Sequence, residues 1–283
     1  VNGALSGLTF SLVGPGRVGG SLASWAEAAG ARLAGVAGRG RVAGLSTAGQ
    51  DLLLLAVPDG ALPEVAAELA GRPQARVVLH TSGSLPAAVL APLRNPPSHT
   101  GSAVGSLHPL KAFPRPLPDP AEARGVLFAV DGDPAARALA HRLAAAWGGV
   151  PADVPPAART LYHLAASLAA GGVVTLLGLA DELAGRLGLP PEVGRGYLEL
   201  ARGAVAAALA GGPAGAALTG PVARGDAATF LRQLAALNEL APEKVPLVLH
   251  LARETLRQEA RLGPLGEGQR ELLAEVEARL SPS

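Results

Sequence analysis

The chain contains no cysteine. That absence excludes a disulfide framework, a thiolate metal site and a cysteine nucleophile. Aromatic residues make up only 3% of the 283 residues, so any core must be built from leucine, alanine and valine. Lysine occurs only at Lys111 and Lys244, and 24 basic against 23 acidic residues leave a formal charge of +1. So even a balance excludes nucleic-acid binding through bulk charge and polybasic adhesion to a membrane surface. The first dozen residues lack the basic head of a signal peptide. Metal-ligand spacings are missing too: there is no HExxH and no paired acids at ligand separation, so no metal site is expected.

Long apolar runs are scarce, with one exception. Leu164 to Ala180 is 17 residues without a charge, just short of a membrane-spanning helix. It is rich in alanine and glycine and flanked by His163 and by Asp181 and Glu182. It is expected to be a buried central helix in a soluble, cytoplasmic protein. Because such a helix needs cover on all sides, a homodimer formed through the helical half is expected as well.

What is present is ample apolar material, 49% of the residues, punctuated by 37 glycines and 25 prolines. At roughly 150 residues per domain the length suggests two domains. The first half alternates strand-like runs with helical ones. Leu8–Val13, Arg32–Val36, Asp51–Val57, Arg76–His80, Ala103–Leu107 and Val126–Val130 read as strands, and the almost purely apolar Asp51–Val57 suits a strand covered on both faces. Such alternation predicts an α/β fold, a doubly wound parallel sheet. After Ala135 the pattern turns helical, with Pro151–Pro156 as the linker. Helices are expected over Ala135–Trp147, Ala157–Leu187, Leu198–Leu209, Ala227–Ala241, Pro246–Arg261 and Gly268–Leu280. The expected division is a Rossmann-type NADP-binding domain over 1–152 and an all-α domain over 153–283.

Gly14-Pro15-Gly16-Arg17-Val18-Gly19 follows the first strand and opens a helix, the context in which GxGxxG reads as a dinucleotide site. Gly14 permits the tight turn, Gly16 the approach of a pyrophosphate, and Gly19 close packing of helix on strand. About 20 residues further on, NAD sites carry an acid for the ribose 2′-hydroxyl. Here the count lands on Arg39, with Arg41 beside it and no acid between Glu27 and Asp51. Guanidinium groups pair with phosphate, so the cofactor is expected to be NADP. Val57, Pro58 and Asp59 end the third strand, and Thr81, Ser82 and Gly83 follow the fourth. Ligands bind outside such strand ends, so these residues should line the crevice, although capping the next helix is the favoured role for Asp59.

Hydride transfer to a carbonyl or imine also calls for a proton donor or a positioned polar group. Among six histidines, His141 and His250 lie in amphipathic helices and His99 in a loop. His80 and His108 both end apolar strands and point toward the crevice, with His108 in the better context, three residues before Lys111. His163 opens the uncharged helix with Ser167 four residues later on the same face. The last motif, Thr219-Gly-Pro-Val-Ala-Arg224-Gly-Asp226, connects two helices. Asp226 is placed to cap the second of them, and Arg224 could hold a substrate carboxylate or phosphate.

Taken in order, Gly14–Gly19, Val57-Pro-Asp59, His80-Thr-Ser-Gly83, Ser106-Leu-His-Pro109, Tyr162-His163 and Thr219–Asp226 resemble a family of Rossmann-like proteins whose helical second half has no assigned function. That family is similar to the 6-phosphogluconate dehydrogenase-like superfamily, which includes pyrroline-5-carboxylate reductase, ketopantoate reductase and deazaflavin-dependent NADP reductase. The resemblance implies an NADP-binding N-terminal domain, a helical domain that mediates dimerisation, and a cleft between them. Many dehydrogenases of that superfamily carry a lysine, with an asparagine four residues on, where His163 and Ser167 stand here. The expected activity is hydride transfer between NADPH and a small anionic carbonyl or imine compound. His108 and His163 would position or protonate the substrate, with Ser167, Thr219 and Arg224 as further contacts. Two alternatives stay open: a non-catalytic NADP-binding sensor or partner module, and a deazaflavin- or flavin-linked NADP reductase.

Overall fold

The computed structural model describes residues 3–72, 74–94 and 101–281, apart from the side chains at 39 and 40. Contacts divide the chain into two compact units, Val1–Gly172 and Val173–Ser283.

The first unit is built on a seven-stranded sheet: β1 Thr9–Val13, β2 Arg32–Ala37, β3 Leu52–Leu55, β4 Val77–His80, β5 Ala103–Pro109, β6 Leu127–Gly132 and β7 Val150–Asp153. Their spatial order is β2-β1-β3-β4-β5-β6-β7. The helices of this unit are α1 Arg17–Ala28, α2 Leu62–Leu69, α3 Pro134–Ala146 and α4 Arg159–Ser167. β3 shows why its four leucines alternate in function. Leu52 and Leu54 join the core beneath α1 and α3, while Leu53 and Leu55 join the core beneath α2. A strand covered on both faces has no polar position to spare.

The expected α/β sheet is present, with two corrections. β1 to β5 are parallel, but β6 runs antiparallel to β5. No crossover helix joins those two strands. The proline-rich stretch between them folds back as a loop, anchored where the Leu117 amide donates to Ser21 Oγ and Trp25 Nε1 donates to the Leu117 carbonyl. The second correction is β7, at the segment read as a linker. It pairs with β6 alone, and an edge strand tolerates Pro151, whose missing N–H is not needed on both sides. The sheet ends at Asp153, and contact compactness keeps α4 with the first unit.

The second unit contains α5 Val173–Arg186, α6 Pro191–Leu209, α7 Pro221–Arg224, α8 Ala227–Leu240, α9 Val245–Leu262 and α10 Glu267–Leu280. Helix α6 starts at Pro191 rather than Leu198, with proline in the first turn where its missing N–H costs nothing. The core of this unit comes from α8, α9 and α10, through Phe230, Leu234, Leu249, Leu256, Leu272 and Val276. The connection before α8 is explained locally. Gly225 closes α7 in the left-handed region at φ 71° and lies against the backbone of Gly268 and Gln269. Asp226 caps α8 as expected, accepting from the Thr229 amide at 3.0 Å.

The expectation of a buried Leu164–Ala180 helix is overturned. The stretch is interrupted by a π-helical turn, Leu168–Gly172, and Leu164, Leu168 and Val174 are all exposed. In the second unit α5 packs against α6, and α6 has no buried residue. Leu200 is 72% and Leu209 81% exposed. By length and composition alone, Pro156–Arg186 is long and apolar enough to cross a membrane. Within the second unit, the core of α8, α9 and α10 leaves large leucines of this pair exposed.

Candidate active site in the first unit

β1 lies between β2 and β3, so the chain leaves the sheet in opposite directions there, and the carboxyl ends of β1 and β3 frame the crevice typical of such folds. The three glycines at that point do three different things. Gly14 has φ 89°, and a side chain there would overlap the Ala56 carbonyl. At Gly19 a side chain would overlap the Gly14 carbonyl and come within 2.8 Å of Ala56 Cβ, so helix and strand pack at backbone distance. A side chain on Gly16 would meet nothing within 4 Å. Gly16 therefore leaves its backbone open to approach from outside. No side chain caps α1, so the N–H groups of its first turn remain available to an anion.

Beside this loop is a cavity of about 550 Å³ lined by Pro15, Val36, Ala37, Gly38, Arg41 and neighbours, with no acid in its wall. Arg41 lines this cavity together with Pro15 of the glycine loop. The side chain of Arg39 lies outside the described residues. Arg17 is exposed, its Nη1 3.5 Å from the Pro114 carbonyl, and Val18 packs against the core.

Several crevice residues turn out to hold the loops themselves. Val57 is buried in the core beneath α2, which leaves only its backbone for a ligand. The Ser82 hydroxyl accepts from the amides of Ser84 and Leu85. Asp59 caps no helix. Its carboxylate instead accepts from Ser84 Oγ, tying the loop after β3 to the loop after β4. An acid with a hydroxyl partner across the crevice has no need of the free amides of its own helix.

The second cluster is built by register. His80 pairs with Ser106, and Ser106 with Asp131, in adjacent strands, so the three side chains share one face, joined two residues on by His108. From α4, Arg159, Tyr162 and His163 reach the same place at the i, i+3, i+4 spacing of one helical face. Arg159 has no exposed surface and donates through Nη2 to Ser106 Oγ. Its Nε and Nη1 have no hydrogen-bond partner among the described residues. Burial lowers its pKa, and the Asp131 carboxylate is the main opposing influence.

His80 is fully buried. Its Nδ1 accepts from the Ser82 amide at 3.2 Å, so Nε2 carries the hydrogen and donates to the Pro86 carbonyl at 3.3 Å. Burial, then the Arg159 charge, push its pKa down to about 4. His80 is therefore a neutral structural group. His108 has Nδ1 3.0 Å from Tyr162 Oη and stacks edge-on against His163, ring centres 5.6 Å apart. Its pKa is also pushed down to about 4, by burial first, then by His163 and Arg159, with Asp59 opposing. Tyr162 is raised by burial, with Arg159 opposing. Between the two catalytic candidates lies Gly83. A side chain there would overlap His163 Nδ1 and come within 2.8 Å of His108 Nε2.

His108, Tyr162 and His163 open onto a cavity of about 680 Å³ whose remaining wall includes Lys111, Ser167 and small apolar residues of α4. Lys111 is paired with Glu122 at 2.9 Å, and the Ser167 hydroxyl donates to the carbonyl of His163. The structure thus brings together His108, His163, Ser167 and Gly83. Thr219 and Arg224 belong to the second unit and are exposed. His141 pairs with Asp153 and His250 with Arg253 on the surface, while His99 lies outside the described residues. Sequence reasoning passed over Arg159 as a site residue and quoted Tyr162 and Ser106 only within motifs. The spacing of Arg159, Tyr162 and His163 was the available signal.

The architecture agrees with comparisons to known proteins. Residues 40–109 match the model of a Rossmann-like domain, and residues 126–262 match that of a domain of unknown function (DUF2520). The resemblance read from the motifs stands. A comparison with curated proteins finds no match. Among solved structures, a candidate NADP oxidoreductase from Bacteroides fragilis is 20% identical with a TM-score of 0.69, over 88% of this chain and 97% of that one. A Thermotoga maritima protein is 22% identical with a TM-score of 0.66, over 89% and 99%. Plasmodium falciparum pyrroline carboxylate reductase, solved with NADP bound, is 12% identical with a TM-score of 0.51, over 98% and 99%. These likenesses show the fold alone: a Rossmann-like sheet followed by a helical part.

Two outcomes follow from the geometry. Gly83→Ala should force both imidazoles from their positions and cost about 1–3 kcal/mol of stability. Histidine NMR signals unmoved in that variant would contradict the packing. Acid should weaken the fold through His80 and His108, whose folded pKa of about 4 lies below the unfolded 6.5. As pH falls the unfolded chain binds protons first. The stability gained from neutral imidazoles is complete above the unfolded value and is lost as pH falls toward the folded one. Urea midpoints measured from about pH 7.5 down to about pH 5 should drop in the wild type and drop less in His108→Gln. Equal slopes would remove His108 from this account.

Proposed function

We propose that the protein is an NADP-dependent oxidoreductase that transfers a hydride between NADPH and a small anionic carbonyl or imine compound. The observation that carries this reading is the pairing of His108 and His163 around Gly83, directly after β4, the neighbour of the β3 strand that borders the glycine-loop crevice. NADPH, when bound, supplies the hydride. The protein's own groups do the rest. Gly14, Gly16 and Gly19 bring the pyrophosphate onto the N-terminus of α1, where open backbone at Gly16 and uncapped amides suit it. Arg41, with Arg39, would hold the 2′-phosphate, and Pro58, Asp59, Thr81 and Gly83 would line the nicotinamide side. His108 and His163 donate to or orient the reacting heteroatom, and the apolar wall of α4 restricts water there. Ser167, Thr219 and Arg224 are retained as groups for the substrate's remaining polar functions.

The proposed partner is a second copy of the chain. The exposed leucines of α5 and α6 form a face that a soluble monomer would leave in water, and large exposed apolar patches mark interaction surfaces. A homodimer through these helices covers like with like, leaving the chain soluble.

Calorimetric titration tests the cofactor. NADPH should bind at least about tenfold more tightly than NADH, as one charge-assisted hydrogen bond would provide. Arg41→Ala should remove most of that preference, and His163→Ala should leave NADPH affinity nearly unchanged. Absence of binding by either dinucleotide would remove the foundation of the proposal. Sedimentation in detergent-free buffer at micromolar concentration should give a dimer, and a monodisperse monomer would refute the partner assignment.

A further inference from the structure

The phenol of Tyr162 sits 3.0 Å from His108 Nδ1, and the two rings meet edge-on at 89°. A neutral imidazole carries its hydrogen on one nitrogen only, and the partner of the other nitrogen decides which. Two arrangements are possible here. Either the phenol O–H donates to Nδ1, or an Nδ1–H donates to the phenol oxygen. In the second case the phenol hydrogen has no other acceptor among the described residues, on a half-buried group. In the first, the hydroxyl is satisfied and Nε2 carries the imidazole hydrogen. That hydrogen then faces Gly83 and His163, whose Nδ1 is buried without a partner among the described residues. Arg159 on the same helical face adds to the preference for a neutral ring, because a second buried cation beside it is disfavoured.

We infer that Tyr162 is a positioning residue that locks His108 in its Nε2–H tautomer, so that His108 presents a neutral N–H donor beside the His163 nitrogen. A neutral imidazole in that form donates a hydrogen bond to an oxygen or nitrogen that gains negative charge as hydride arrives, without having been protonated beforehand. The use of this donor in hydride transfer rests on the function proposed above. The lock itself is a property of the protein alone.

The test is long-range ¹H–¹⁵N NMR of uniformly ¹⁵N-histidine-labelled full-length protein near neutral pH, with the His108 signals assigned by their loss in His108→Gln. The wild type should show protonated Nε2 and bare Nδ1 at His108. Tyr162→Phe should convert that pattern to a mixture of tautomers, while His80, held by Ser82 and Pro86, keeps its own Nε2–H signal. Retained His80 signals show that the variant has folded. Protonated Nδ1 in the wild type overturns the inference, and so does an unchanged Nε2–H pattern in folded Tyr162→Phe. The wild-type spectrum decides the first point even if the variant fails to fold. Because tautomers are read without cofactor, the expected pattern alongside absent NADPH binding would uphold the lock while refuting the oxidoreductase reading.

Discussion

A guanidinium without exposed surface governs the sheet's functional end. Removing an arginine from water costs several kcal/mol unless other groups take over its solvation. Here Ser106 accepts one of its hydrogens and the Asp131 carboxylate supplies countercharge. The arrangement fixes the first turn of α4 against β5 and β6, and with it the directions of Tyr162 and His163. Burial chiefly, with the Arg159 charge adding to it, disfavours protonating His80 and His108, and both stay neutral well below the ordinary histidine range.

From that constraint the division of labour along the sheet follows. The ends of β1 and β3 present open backbone and uncapped amides suited to an anion. The end of β5 presents a neutral imidazole, His108, suited to donating or accepting a single hydrogen. Asp59 and Ser84 tie the two regions together, and Gly83 keeps the second region tight enough that any side chain would separate its histidines. Serine, aspartate and histidine side chains that look chemically able in the sequence, namely Ser82, Asp59 and His80, are instead used to hold loop geometry. Buried polar groups must find partners, and the short loops after β3 and β4 supply those partners from within.

The second unit follows a different logic. Its core of α8, α9 and α10 is closed by backbone contact at Gly225 and Gly268 and by the Asp226 cap, which accounts for much of the Thr219–Asp226 motif without chemistry. The π-helical turn at Leu168–Gly172 and the apolar surfaces of α5 and α6 have no such internal explanation.

Local pattern was enough to determine the strand-and-helix alternation, the glycine loop, the Asp226 cap and the placing of His108 near the end of a strand. These depend on periodicity, backbone freedom and neighbours within four residues, all of which the sequence states directly. The reversal of β6, the edge strand through Pro151 and the exposure of Leu164–Ala180 depend on which surfaces find partners. So do the capture of Asp59 by Ser84 rather than by its own helix and the burial of Arg159 against Ser106. Competition among distant groups for the same polar contacts or apolar cover has no local signature, and only the tertiary structure decides which group wins.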